Sequence, residues 1–359
     1  MYWRVKLPLV PRRRKRTMHH RTLLIVVAAL AASPLAESPK NRSVAGSSHV
    51  KSFRESSELQ LDSITQTVNG VEVDLGDVMM SAKIERSFGL VDEYVAVEEG
   101  RLTKRRRRFE EVDGLAEMSL DVMGERESQT LTLSSPLEGL EVLCEWDEEA
   151  EEHSFRFDED GGGDKGLLEH LLADAEFRMI PPGREAEPKD SWVIDLGEER
   201  SFFAPGGLLS WEAELGPGSY EIIEPWQMIV ISLTGMSEVS QEIEGELAAI
   251  WTETIEVDGV RAAVIALELN AELRADLGDE LVRMALSSDL EELDATFEVM
   301  WSIEGEGKIL WNLEAGHFIS LELECENEIE FTLELEEEFG RVEVQAELSG
   351  TTSLTATAE

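Results

Sequence analysis

Phe318-Ile-Ser-Leu-Glu-Leu-Glu-Cys-Glu-Asn-Glu-Ile-Glu-Phe-Thr-Leu-Glu-Leu335 alternates apolar and polar residues almost without a break. Ile319, Leu321, Leu323, Cys325, Ile329, Phe331, Leu333 and Leu335 take the odd positions. Glu322, Glu324, Glu326, Glu328, Glu330 and Glu334 take the even ones. A period of two sends the two sets to opposite sides of a β-strand, so the stretch predicts one buried face and one acidic, wet face. At about 3.3 Å per residue it spans on the order of 55 Å, several times a common strand of about 5–6 residues. The fold class is therefore mainly β, built of long-stranded antiparallel meander sheet. A twisted sheet of such strands curls toward a half-barrel with an apolar concave face.

The neighbouring segments extend this pattern. Phe339-Gly340 reverses the chain into Val342, Val344, Ala346 and Leu348, which places Glu343, Gln345 and Glu347 on the outer face. The glutamates of 318–335 thus meet more acid across the hairpin, and like charges opposite one another cost stability. The acidic face serves solubility, repulsion at sheet edges or cations rather than folding. Upstream, Ala295, Phe297, Val299, Trp301 and Ile303 alternate, and Gly305-Glu306-Gly307 and Ala315-Gly316 predict turns. Val239–Glu256 and Val260–Asp276 flank Asp258-Gly259, a hairpin signal. Leu281–Leu286 fits helix or strand. In the first half, Asn69-Gly70 and Glu99-Gly100 mark further hairpins, with strands near Ile84–Val97, Arg101–Val112, Thr130–Leu133, Gly139–Trp146 and His153–Phe157. Gly161-Gly162-Gly163 interrupts the pattern. Leu167, Leu168, Leu171, Leu172 and Ala175 then recur at helical spacing behind Asp164 as N-cap, predicting one short helix near 165–177.

Composition divides the chain sharply. The first 36 residues hold eight basic groups and no acid, so the remaining 24 basic groups face 76 acidic ones, a formal charge of −52. Such a field repels nucleic-acid phosphate and anionic headgroups, leaving an apolar small molecule or a cationic partner. Leu23–Ala32 is a ten-residue apolar run behind a basic segment and before small residues, the pattern of a signal peptide. It is too short for a membrane span of about 20 residues. The organisation read from the chain is a signal peptide over 1–36, a polar tether over 37–52 and an N-terminal β region over 53–178 ending in the helix. A Pro/Gly-rich connection over 179–227 and a C-terminal β meander over 228–359 complete it. The protein is expected to be exported to the periplasm, cell envelope or exterior.

No residue constellation carries catalytic chemistry. G-x-S-x-G, H-E-x-x-H and a phosphate loop are absent. His49, His153, His170 and His317 are not spaced for joint metal ligation. Asp158, Asp160 and Asp164 around Gly161 are candidate calcium ligands, although the full EF-hand spacing, with its terminal Glu, is missing. Cys144 and Cys325 are candidates for one disulfide, stabilising by about 4–5 kcal/mol on the loop-entropy model, and equally fit two buried thiols. Asn41-Arg42-Ser43 matches a glycosylation sequon. Arg105-Arg106-Arg107-Arg108 stands out in so acidic a chain, but strand alternation splits it between two faces, leaving cross-strand pairing with Glu. Trp146, Trp192, Trp251, Trp301 and Trp311 fall mostly on alternating strands and suit core packing.

Val91-Asp-Glu-Tyr-Val-Ala-Val-Glu-Glu-Gly100, Ser134-Ser-Pro-Leu-Glu-Gly139, Pro181–Trp192 and Ile309-Leu-Trp-Asn-Leu-Glu-Ala-Gly316 resemble a family of exported bacterial β-rich proteins of unknown function. Lys189-Asp190-Ser191-Trp192 is similar to that family's Gly-Asp-x-Trp turn without its Gly. The resemblance implies a fold and a compartment and no activity. The function expected is a non-enzymatic envelope or extracellular binding or structural protein, holding an apolar ligand inside the curl. The alternatives are a glycosidase-type hydrolase using two carboxylates about 5–10 Å apart and a calcium-dependent adhesion or matrix protein.

Overall fold

The alternating stretch Phe318–Leu335 lies in one strand, Phe318–Glu337, whose residues from Leu321 to Phe331 alternate buried and exposed without exception. The computed structural model describes residues 38–158, 163–197, 199–207, 209–215, 242–276, 278, 294–337 and 340–359. The leader and Leu281–Leu286 fall outside the described residues.

In chain order the strands are β1 (Ser48–Val68), β2 (Val71–Val73), β3 (Val78–Glu98), β4 (Arg101–Val122), β5 (Glu125–Ser134), β6 (Glu141–Asp147) and β7 (Glu152–Phe157). They continue as β8 (Ser191–Asp195), β9 (Glu212–Leu215), β10 (Glu242–Val257), β11 (Val260–Asp276), β12 (Asp294–Asn312), β13 (Phe318–Glu337) and β14 (Gly340–Ala358). All pair antiparallel in one open sheet ordered β7-β6-β4-β3-β1-β14-β13-β12-β11-β10-β8, with β2 on β1 and β9 on β5, which pairs with the second half of β4. Most neighbours are joined by short hairpins. One long-range pairing organises the molecule: β1, first of these strands, pairs with β14, the last, from Lys51↔Ala358 to Val68↔Val342. The two β regions are therefore one continuous open sheet, joined through the β1–β14 pairing.

The sheet curls so that its own inner face becomes the core. Ala116, Met118, Leu131 and Leu133 of β4 and β5 pack in one cluster with Ala275, Phe297 and Val299 of β11 and β12, strands distant in the sheet order. At the other end Phe177 and Phe318 pack edge to face with Phe53 tilted against both, and Trp251 and Trp311 are fully buried. Aromatic groups of this size each bury about 150–250 Å² and dominate such an interior.

The structure departs from sequence expectation at three places. Gly305 and Gly307 make no turn; β12 runs straight through them, opposite Cys325 and Leu323. A Cβ at Gly305 would lie 2.6 Å from Cys325 Sγ, and one at Gly307 would overlap Glu322 O, so these glycines allow close approach inside a bent sheet. The helix near 165–177 shrinks to a 3-10 turn, Lys165–Leu168, capped by Asp164 accepting from Gly166 N. Leu171 instead makes a β-bridge with Gly207 and Ala175 is buried, so the leucine spacing reports burial rather than helix. The polar segment read as a tether is docked: β1 begins at Ser48, Arg42 N donates to Gly316 O, Trp311 Nε1 donates to Lys40 O, and Ser38 is buried. Among the described residues no helix is long and apolar enough to cross a membrane.

Candidate functional site

The inner face of the sheet is not filled everywhere. Between β1, β3, β11, β12, β13 and β14 and a crossing segment that includes Phe202–Gly207, Leu209 and Trp211 lies an apolar cavity. Phe53, Phe88, Trp301, Ile303, Leu323 and Leu354 line the sheet side, and Phe202, Phe203, Leu209 and Trp211 form the roof. Phe53 and Phe88 stack with centroids 4.6 Å apart. The centre of a water-sized sphere reaches about 80 Å³ of this space. One water needs about 10–15 Å³ on that measure, so the cavity takes a small apolar molecule or several waters. A separate space of about 20 Å³ lies beside it, sharing Glu55, Arg86, Trp301 and Thr352 and bounded by Leu59, Ile84 and Ile329.

A polar seam crosses the cavity floor between strands. Trp301 Nε1 donates to Asn327 Oδ1 at 3.1 Å, and Asn327 Nδ2 donates to Thr352 Oγ1 at 2.9 Å. The Thr352 and Ser57 hydroxyls share a bond of 2.8 Å, Ser57 donates to Glu55 at 3.4 Å, and Arg86 Nη2 donates to Glu55 Oε2 at 2.7 Å. The buried Asn327 is satisfied by this chain, as a polar group in such a core must be. The Arg86 guanidinium lies 5.9 Å from the Trp211 ring, beneath the roof. Among the described residues lining the cavity, Glu55 is the one carboxylate.

The second concentration of chemistry lies where the alternation of β4 turns Arg105 and Arg107 inward. The tetrad splits as read from sequence: Arg105 and Arg107 are 3% exposed, while Arg106 pairs with Glu93 and Asp158 on the outer side and Arg108 with Glu110. The inward pair meets a partner that spacing did not single out. Asp92, fully buried, accepts from Arg107 Nε at 2.8 Å, Arg105 Nη1 at 3.1 Å and Lys51 Nζ at 2.6 Å. Lys51 Nζ also donates to Glu176 at 2.5 Å, and Glu176 accepts from Arg178 and the Tyr94 hydroxyl. Burial pushes the Asp92 carboxyl up, but Arg107, Lys51 and Arg105 together outweigh it and hold the group well below the usual carboxylate range. Glu176 is likewise lowered, burial being overcome by Lys51 and Arg178. Arg107 donates as well to Leu172 O and Ala173 O, so the cluster ties the sheet to the segment that follows the 3-10 turn.

The remaining predicted groups stay apart. Asp158 serves Arg106, Asp164 caps the 3-10 turn, and Asp160 lies outside the described residues. Among the described residues no group of three or more metal-ligating side chains gathers. Cys144 and Cys325 are both free and buried, on β6 and β13. Burial, then Glu324 and Glu55, push the Cys325 thiol up to about 12, and Cys325 lies in the cavity wall. The Asn41 side chain of the sequon donates to Arg178 O. His49 and His317, far apart in the chain, meet with ring centroids 4.7 Å apart, and burial and then His317 lower the His49 pKa. His153 packs on Trp146 and is lowered to about 4 by burial and then by Arg105, Arg101 and Arg178.

No known protein family and no curated protein matches the chain, so the turn and packing motifs quoted above carry no family assignment. Among solved structures, that of an outer membrane channel from Pseudomonas putida aligns over 92% of this chain and 100% of its own, at 8% sequence identity and a TM-score of 0.19. A score so low supports no inference about fold or function.

Proposed function

We propose that this is an exported, non-enzymatic binding protein of the cell envelope that holds one small apolar ligand between the curled sheet and its roof. The apolar cavity walled by Phe53, Phe88, Trp301 and the roof carries this reading, because concave, largely apolar space with a few placed polar groups is the usual form of a ligand site. Export rests on the leader pattern of residues 1–36. Glu55 as the one carboxylate in the described wall, already paired with Arg86, favours binding over hydrolysis by two acids. Titration with the neutral fluorophore phenylnaphthylamine, together with native mass spectrometry of the purified protein, tests it. The expected result is saturable binding of one dye per chain, lost in Leu354→Trp, which fills the cavity with the fold retained by circular dichroism. Equal binding by the variant, or no dye binding and no co-purified ligand, sinks the reading.

A further inference from the structure

Among the described residues the cavity roof is tied directly to the sheet at one end, where Trp211 packs against the sheet's apolar cluster and over the Arg86 guanidinium. Ser135 Oγ donates to Leu209 O, and β9 continues onto β5. Residues 202–207 of the roof are attached further to residues 171–178. Leu172 N donates to Gly206 O at 3.0 Å, Gly206 N donates to Asp174 O at 3.0 Å, Gly207 bridges Leu171, and Phe177 packs edge-on against Phe202. That segment in turn is held by the ionic cluster: Glu176 by Lys51, Tyr94 and Arg178, and the carbonyls of Leu172 and Ala173 by Arg107. Asp174 accepts from Glu176 N and Arg178 N, fixing the turn that presents both charges.

We propose that this cluster is the latch of the cavity roof, with Glu176 as the positioning residue that couples Lys51 of the sheet to residues 171–178 and, through Gly206 and Gly207, to the roof. The physical reason is the asymmetry of buried charge. Lys51, Asp92, Arg105 and Arg107 belong to the sheet and stay together when the segment lifts, whereas Glu176 leaves with it. Closure is then favoured by a fully desolvated ion pair and opening by rehydration of its members, a balance between two discrete states rather than a gradual loosening. Its role in ligand exchange rests on the binding reading above; the latch itself needs no ligand to be tested.

Cys325 in the cavity wall supplies the probe. Modification of the full chain by methyl methanethiosulfonate is followed at Cys325 by peptide mass spectrometry, with hydrogen exchange measured in parallel. In Glu176→Gln, the Cys325 rate is expected to rise by about tenfold. Amides of residues 202–207 exchange faster, while those of β13 and β14 keep their protection. An unchanged Cys325 rate overturns the latch, and so does a rise matched by faster exchange throughout β12–β14, which would mark general destabilisation. Should that variant not fold, Gly207→Ala leaves every charge in place. Gly207 has φ +91°, and a Cβ there would overlap Leu172 N and His170 O. The same two outcomes decide. Phenylnaphthylamine release separates the two ideas: if Cys325 opens in the variants while no dye binds the wild type, the latch stands and the binding reading fails.

Discussion

The inner face of β13 and the stretch of β4 around Arg105–Arg107 both follow strand alternation and bury opposite chemistries. On β13 every second residue from Leu321 to Phe331 turns inward, and apart from the hydrogen-bonded Asn327 the row is apolar or thiol. On β4 the inward positions 105 and 107 are arginines, buried about as deeply as Leu321 and Leu323 of β13. The difference lies in what each row faces. The β13 row meets the curled sheet's own apolar side, whereas Arg105 and Arg107 meet Asp92 on the next strand and the carbonyls of a segment some 65 residues on. Alternation thus assigns a side chain to a face; it does not assign carbon to the inside.

Three measurements press on that comparison. The largest effect belongs to Asp92→Asn, which strands Arg105 and Arg107 around a neutral amide and leaves Lys51 only Glu176. Urea unfolding should show a loss of about 3–5 kcal/mol, with part regained when Arg107→Met removes one of the stranded charges. A loss as small as that of a surface pair would mean the ions do not hold this end of the molecule. The second effect is pH dependence. His153, lowered to about 4 when folded, takes up its proton in the unfolded chain first on acidification. Its contribution is complete above about 6.5, declines as pH falls toward about 4 and then levels off. Asp92, held below the carboxylate range, adds a further decline only below about pH 4. His49, lowered by burial and then by His317, adds to the decline in the same range, so urea midpoints above pH 4 should fall less steeply in His153→Asn; an unaltered slope would assign the decline to His49 instead. The smallest effect lies on the wet face, where Glu330 stands opposite Glu347 in the β13–β14 register. Replacing that repulsion by attraction in Glu330→Lys should stabilise by about 0.2–1 kcal/mol, shrinking with added salt. A destabilised variant would show that the acid ladder contributes to folding.

Much of the sheet was legible in the sequence because its signal is local. Asn69-Gly70, Glu99-Gly100 and Asp258-Gly259 all form two-residue turns with both residues at positive φ, the conformation that twists with the flanking strands. Splitting of the arginine tetrad between faces also followed from period two. Gly305 and Gly307 misled because a glycine needed for close cross-strand approach looks the same in sequence as a glycine needed for a turn. The leucines before Phe177 misled because a buried irregular segment and an amphipathic helix both repeat apolar residues every three or four positions; here a β-bridge and the Asp174 turn decided the backbone. The site was the least legible part. Lys51, Asp92 and Glu176 are unremarkable among 76 acidic and 32 basic residues, and they become a cluster only when β1, β3 and the connection meet.

The sequence by itself determined that this chain builds long antiparallel strands with an apolar and an acidic side, because side-chain alternation and turn conformations are written within a few residues of one another. The tertiary structure alone decided that β1 seals against β14, that the sheet curls onto itself around a small cavity, and that a buried ionic cluster ties the segment carrying its roof to the sheet. These depend on contacts between residues up to some 300 positions apart, whose free energy comes from burying faces and pairing charges across the fold, and no local pattern records which distant partner each face meets.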